Sequence, residues 1–483
     1  MTDCHGNGRA RLAGTAAGRR GCGGGGRARQ TGAVQKRVYT GHLDPGAADY
    51  VYLPVDVPAG TTRLAVRYSY DRPPLAAGTV GNACDAGIFD QRGLDTGFRG
   101  WSGGARDRFE LSAADATPGY LPGPVEPGRW HVVLGPYTVA PGGLDYTVEV
   151  TFDDAPVVGE PAVHHPPAST GRGPGWYRGD CHLHTVYSDG GRTPAQVAAA
   201  ARARGLDFIN SSEHNTPASH RIWGEHAGDD LLILTGEEIT TRNGHCLAIG
   251  LPPGSWIDWR YRAADGVFAD HAARVRELGG LVVPAHPYGQ CVACSWKFGY
   301  EQADAVEVWN GPWSIGNEAA LATWDGTLVA GRFLPAMGNS DAHRDGDVVG
   351  LPQTVVHAEA LSATGIKAGL AAGRSYLADD AAVTVSLAAT ADGRTAGIGE
   401  RLAVAPDAPV TVRLAVTGVP AGTVRLVTDR GLVHAAPLPG PVEWRTTARY
   451  TSYVRAEVRH ADADAALPYG SMAALTNPIF LDG

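Results

Sequence analysis

The chain lacks any run of about 18 apolar residues, so no membrane-spanning helix is expected. It also lacks an excess of positive charge. Its 41 Lys and Arg stand against 50 Asp and Glu, a net charge of −9, and a mildly acidic protein is poorly suited to gripping the phosphates of a nucleic acid. Cysteine is sparse and odd in number, seven residues in all, with only Cys291 and Cys294 closely spaced. That pattern is no secreted disulfide framework, and without a second Cys-x-x-Cys it makes no four-cysteine zinc site. A redox pair and a pocket lining are open to Cys291 and Cys294, but a plain structural role is expected. Arg19-Arg20 lacks the apolar segment that a twin-arginine signal needs, so a cytoplasmic protein is expected. No Walker loop is expected, and no nucleophile elbow of the Gly-x-Ser-x-Gly type belonging to a Ser-His-Asp triad.

What is abundant is glycine and proline, 65 and 33 residues, in a chain long enough for two to four domains. Residues 1–36 are Gly- and Arg-rich with few large apolar side chains, and they read as a disordered tail. Residues 37–155 carry short alternating runs such as Arg63-Leu64-Ala65-Val66-Arg67-Tyr68 between Gly/Pro clusters, the pattern of a β-sandwich. Residues 156–178 read as a linker. From 179 to 380 strand and helix patterns alternate. Thr193-Pro194 opens a helix, with Thr as N-cap and Pro at the first helical position, and Gly205 closes it. Repeated β-α units predict parallel strands, and the absence of a Gly-rich nucleotide loop in this stretch favours a barrel over an open sheet. Residues 381–483 return to strand patterns, a second sandwich.

Polar residues fall just after the successive strands of the middle region. Asp180-Cys181-His182-Leu183-His184 comes first. Residues i and i+2 of a strand face one way, so His182 and His184 can converge while Leu183 packs behind them. Asp189 follows. Then come Glu213 and His214, the pair Glu237 and Glu238, His245, His286, and finally Asp341 and His343. Catalytic groups of parallel barrels sit at the C-terminal ends of strands. Six of the 17 histidines track those ends, each with an acid in the same set of loops, so a scatter of structural histidines is a poor account of them.

His-x-His with a following Asp, Glu-His, Gly-x-Glu, His-Pro and Ser-Asp-Ala-His together resemble the polymerase and histidinol phosphatase (PHP) family of metallohydrolases, and within it the branch that includes carbaryl-hydrolysing enzymes. Tyr453–Arg459 and Ala474–Ile479 are similar to the C-terminal signature of that branch. The resemblance implies a distorted seven-stranded (β/α)7 barrel, here flanked by the two sandwiches, holding two or three divalent ions. It places one ion on His182, His184, Glu238 and Asp341, a second on Glu238 as a bridge with His286, and a third on Asp189, His214 and His343. His245 either completes the second ion or orients substrate. Glu213 becomes a partner fixing an imidazole, and Glu237 competes with Glu238 for the bridging place.

Mixed imidazole and carboxylate ligands suit Zn, Mn or Fe. A metal lowers the pKa of bound water from about 15.7 to about 7, which supplies hydroxide at neutral pH. The expected activity is therefore hydrolysis of a small phosphate ester, with the metal-bound hydroxide itself or His343 as the proton acceptor and with Arg344 and Arg374 as phosphate contacts. A carboxylic or carbamic ester on the same metals is the alternative, since Tyr288, Trp296, Trp309 and Trp313 can wall an apolar pocket, while Trp324, at helix spacing, is expected in a core. A decayed, non-catalytic binding protein is the third reading.

Overall fold

The computed structural model describes residues 34–461, 467 and 470–482. The expected tail lies outside the described residues up to 33, and a strand already begins inside its expected end, at Gln35–Leu43. That strand is antiparallel to Leu144–Asp153 along its whole length.

Two four-stranded antiparallel sheets follow. They share one core that includes Val55, Leu64, Val66, Ile88, Trp130, Val132 and Val148. The strict alternation in Arg63–Tyr70 turns Leu64, Val66 and Tyr68 inward.

The central module holds ten strands. They are β1 (Gly175–Asp180), β2 (Phe208–Asn210), β3 (Leu232–Leu234), β4 (Glu237–Thr241), β5 (Gly244–Ile249), β6 (Leu281–Pro284), β7 (Val306–Asn310), β8 (Ala336–Asn339), β9 (Gln353–Ala358) and β10 (Ser375–Ala378). Four helices accompany them: α1 (Pro194–Ala203), α2 (Phe268–Glu277), α3 (Ile315–Val329) and α4 (Ala363–Ala371). Thr193 caps α1 and forms a capping box with Gln196, as the sequence indicates.

The expected barrel of parallel strands is not what the chain builds. β1, β2 and β3 are parallel, and so are β7 and β8. But β4, β5 and β6 form an antiparallel sheet, and β9 runs antiparallel to both β1 and β10. The reason is loop length. Only Arg242 and Asn243 separate β4 from β5, and two residues close a hairpin but cannot carry a crossover to a parallel neighbour.

The sheet also does not stop at the module's end. β10 pairs with Met472–Thr476, which extends β3-β2-β1-β9-β10 into an 11-stranded sheet running through the C-terminal region. Thr384–Ala391, Arg394–Gly397, Val410–Thr417 and Val442–Thr446 form a further sheet, and one core joins it to Val355, Tyr376 and Ala378 of the module.

The N-terminal sheets are anchored by another shared core. Phe89, Phe98, Trp101 and Val133 pack with Ile239, Trp259, Val275 and Trp296 of the β4–β6 side. This contact brings residues of the N-terminal region to the rim of the module's polar end.

Candidate metal centre

Backbone pairing pulls the loops after β1 and β8 together. The N–H of Asp341 donates to the His182 carbonyl at 2.9 Å, and that of His184 donates to the Ala342 carbonyl at 3.1 Å. Asp180 ties the same loops: its carboxylate accepts from the N–H groups of His182, Ser340 and Gly350 at 3.2, 3.1 and 2.8 Å. Burial pushes its pKa up to about 6, against these bonds. The loop after β2 joins β4 in the same manner, with Glu238 N–H donating to the Glu213 carbonyl and Asn215 N–H to the Glu238 carbonyl, each at 3.1 Å. Gly190 closes the turn after the histidine pair; a Cβ there would lie 2.5 Å from the His184 carbonyl. Two residues of the site adopt positive φ, His286 at 25° and Asp341 at 51°. Backbone of that kind persists where the surroundings impose it.

Four side chains meet at the centre. His182 Nε2 is 3.2 Å from both Glu238 Oε2 and Asp341 Oδ1, and His184 Nε2 is 3.3 and 3.1 Å from the same two oxygens. All four atoms are buried and none has a hydrogen-bond partner. Leaving a buried polar group unsatisfied costs about 1–3 kcal/mol, more when it is charged, so four at one point call for a common partner. The spacing fits a cation: tetrahedral bonds of about 2.0–2.1 Å put ligands about 3.3 Å apart. The imidazoles are also set for it. His182 Nδ1 lies 3.0 Å from Glu307 Oε1, and His184 Nδ1 lies 3.4 Å from Ser188 Oγ. If each Nδ1 carries the proton, Nε2 is left with its lone pair facing inward.

A second set of ligand-type atoms comes from His184, Asp189, His214 and His343, and a third from His214, Glu238 and His245. Asp189 Oδ1 lies 3.5 Å from His214 Nε2 and 3.3 Å from His343 Nε2. His343 Nδ1 is 2.8 Å from the Asp341 carbonyl, and His214 Nδ1 is 2.6 Å from Thr240 Oγ1. Both contacts leave Nε2 facing Asp189. Burial opposes charge on these rings, yet Asp189 and Asp341 hold the His343 pKa up at about 10, and Glu238 and Asp189 hold that of His214 at about 9. Burial likewise works to protonate Glu238, but His182, His214 and His245 keep its carboxylate well below the usual range. The carboxylates of Glu238, Asp189 and Asp341, set among imidazoles, thus favour positive charge at this point.

His245 Nδ1 and His286 Nε2 flank Glu238 Oε1 at 2.9 and 3.0 Å. His245 shares the face of Glu238 and Thr240 across the β4–β5 hairpin, with Thr240 directly opposite. Burial lowers its pKa to about 4 despite Glu238, which keeps the ring neutral and able to ligate. His286 belongs to none of the three ligand-atom sets, although it touches Glu238.

Glu238 and not Glu237 faces the site. The neighbours point to opposite sides of β4. Glu237 accepts from the Ile257 N–H at 2.9 Å, and burial raises its pKa well above the usual range. Glu213 contacts no imidazole directly. It accepts from Thr185 N–H and from Ser188 Oγ, and so reaches His184 through that serine.

Arg344 lines the cavity and is exposed. Arg374 is not brought to the site, contrary to expectation. It precedes β10, whose Ser375 pairs with Val356, itself opposite Tyr177. That is the end of the sheet away from Asp180, because β9 and β10 run antiparallel.

The cavity over the cluster measures about 610 Å³. Its aromatic wall is not the expected one. Trp309 and Trp313 are buried in a core with Trp324, Trp296 packs in another, and Tyr288 is partly exposed elsewhere. Trp101 and Tyr137 from the N-terminal region and Trp259 line the cavity instead, with Asp85 and Arg242. Arg242 Nη1 is 3.3 Å from Asp85 Oδ2, and its guanidinium stacks 4.3 Å from the Tyr137 ring centre. Ser102, also in the wall, is the centre of Gly100–Gly104, a Gly-x-Ser-x-Gly pattern. Its hydroxyl bonds Tyr120 Oη at 2.9 Å and the Ala86 carbonyl, with no imidazole among its partners, so nothing here activates it.

Sequence reasoning missed Glu307. Beyond His182, it accepts from His286 N–H at 2.7 Å, from Asn310 Nδ2 at 2.9 Å and from Asn339 Nδ2 at 3.0 Å. Its signal was a carboxylate inside the apolar strand Val306–Asn310, where a charge survives only with partners.

No protein-family model matches the chain, and no curated protein matches it in sequence. Among solved structures, the chain is similar to a two-domain protein from Bacteroides vulgatus containing a predicted PHP-like metal-dependent phosphoesterase. The identity is 17% and the TM-score 0.37, over 66% of this chain and 100% of that one. It is similar to a candidate metal-dependent phosphoesterase from Bifidobacterium adolescentis, at 23% identity and a TM-score of 0.27, over 41% of this chain and 94% of that one. It is also similar to an amidohydrolase from Chromobacterium violaceum with bound sulfate, at 18% identity and a TM-score of 0.28, over 36% of this chain and 89% of that one.

Proposed function

We propose that the chain is a PHP-type metal-dependent hydrolase that cleaves a small phosphate ester. One observation carries the reading: four buried, unpartnered ligand atoms of His182, His184, Glu238 and Asp341 converge at spacings of 3.1–3.3 Å. These residues would hold one divalent ion, and Asp189, His214 and His343 a second. When bound, such ions polarise an ester oxygen and make water nucleophilic at neutral pH.

The chain's own residues supply the rest. Glu307 and Ser188 orient the inner imidazoles. Trp101, Tyr137 and Trp259 limit access of bulk water and hold the apolar part of a substrate. Arg344 at the mouth and Arg242 deeper in can meet an anionic group, which favours a phosphate. His343 is better suited to ligation than to proton transfer, since its Nδ1 is engaged by the Asp341 carbonyl.

The aromatic wall supports the second reading, an uncharged carboxylic or carbamic ester. The full set of ligand atoms opposes a decayed binding protein. A metal count on protein purified in metal-replete medium, paired with rates on an aryl phosphate, an aryl acetate and an aryl carbamate, tests all three. We expect about two ions per chain and the fastest turnover on the phosphate. Faster turnover on a neutral ester would transfer the assignment to the second reading. A metal-free protein inert on every ester would revive the third.

A further inference from the structure

Cys291 and Cys294 have no part in the hydrolysis described above, yet both line the cavity. They are joined as a disulfide, three residues apart in sequence, with Cα atoms 5.4 Å apart. So short a loop gains little chain-entropy stabilisation from its cross-link, which leaves a purely stabilising role weakly motivated. The free cysteines among the described residues, Cys84, Cys181 and Cys246, are all buried. Cys291 is exposed and open to attack, and Cys294 is buried beneath it.

The loop they staple runs from the end of β6 to the start of β7 and contains no helix or strand. Its first residues include His286. Between His286 and Trp296 its backbone–backbone bonds are Gly289 N–H to the His286 carbonyl at 2.7 Å, Trp296 N–H to the Pro287 carbonyl at 3.1 Å, and Cys294 N–H to the Cys291 carbonyl at 3.3 Å. Tyr137 Oη ties it to the N-terminal region by donating to the Val292 carbonyl at 2.7 Å. Ala293 sits at φ 66°, a left-handed conformation a non-glycine residue keeps only under constraint. Gly289 lies between the staple and the site. A Cβ placed on it would lie 3.0 Å from Cys294 Cβ and 3.1 Å from His286 Nδ1, so the half-cystine and the imidazole border one small space beside this glycine.

We propose that Cys291–Cys294 is a thiol–disulfide exchange site for a small-molecule thiol, and that opening it unseats His286 and slows the enzyme. A thiolate attacks the exposed Cys291 sulfur. The Cys291–Cys294 bond breaks, a mixed disulfide forms on Cys291, and Cys294 leaves as a thiolate that takes a proton. A second thiolate attacks the small-molecule sulfur of that adduct, which releases the small disulfide, and Cys291 takes a proton. Two small thiols are thereby oxidised to one disulfide while the protein's disulfide is reduced to two thiols. The exchange stands on the loop alone; its effect on rate rests on the hydrolase reading.

The test uses the full-length, metal-loaded protein equilibrated with reduced and oxidised glutathione at graded ratios, followed by differential alkylation and peptide mass mapping. Cys291 and Cys294 are expected to change state together, and Cys294→Ser is expected to trap a glutathione adduct on Cys291. A pair that stays oxidised in excess glutathione, or stays reduced in glutathione disulfide, overturns the exchange site whether or not any ester is cleaved. In parallel, kcat/KM on the best ester is measured before and after treatment with a non-chelating phosphine. Reduction is expected to lower it about five-fold or more, with recovery on reoxidation and no response in the Cys291→Ser/Cys294→Ser double variant. An equal rate in both states overturns the coupling to His286, and so does an equal response in the double variant.

Discussion

Two groups of ligand-type side chains share one cavity and are held differently. In the inner group, the side chains of His182, His184 and Glu238 have no exposure and that of Asp341 has 20%. The outer group, Asp189, His214 and His343, is 45%, 19% and 25% exposed. Water can satisfy the outer atoms between binding events, whereas the inner ones are orphaned without a cation. The difference implies that the inner position is part of the structure's polar balance and the outer one exchanges with solvent.

Glu238 offers the largest effect, because it touches the inner group and also His214, His245 and His286. Glu238→Gln is expected to lower kcat by about 10³-fold or more, several kcal/mol of transition-state stabilisation, with an unchanged circular dichroism spectrum. Turnover close to wild type would break the distinction outright. Next comes Glu307, whose one imidazole contact is to the inner His182. Glu307→Gln is expected to weaken inner metal affinity by about 10–100-fold, read by competition with a chromophoric chelator, while the outer affinity stays as it was. If both affinities fall together, the two groups are one coupled site.

Asp189→Asn probes the other side of the comparison. It is expected to lower the metal count by one and the rate by about ten-fold, with the inner ion retained through dialysis against a weak chelator. Loss of the inner ion first would reverse the order proposed here. The smallest effect is expected at Arg374, at the far end of the sheet. Arg374→Ala should leave kcat/KM within about two-fold, as for a surface change away from the site. A large rise in KM would show that this arginine reaches the substrate after all.

Much of this was legible in the residues. Alternation alone turned His182 and His184 to one side, with Leu183 packed behind in a cluster with Val197 and Ile209. Strand-end placement picked out the acids and imidazoles that now meet. Other residues escaped for identifiable reasons. Glu307 lies inside a strand rather than after one. Asp85, Trp101 and Tyr137 belong to the N-terminal sheets, far before Asp189 in the chain, and no local pattern marks a residue that functions across an interface. Arg374 suits a phosphate by its guanidinium chemistry, and only the antiparallel register of β9 and β10 takes it away from the site.

By itself, the sequence determined which side chains could bind a cation, since imidazole and carboxylate chemistry and the two-residue strand period belong to the chain and need no partner. The tertiary structure decided which atoms share a point, that Glu238 rather than Glu237 supplies the carboxylate, and that the module's strands pair in both directions instead of all in parallel. Those outcomes depend on register and on loop reach between segments distant in sequence, where the energy lies in contacts that do not exist until the chain has folded.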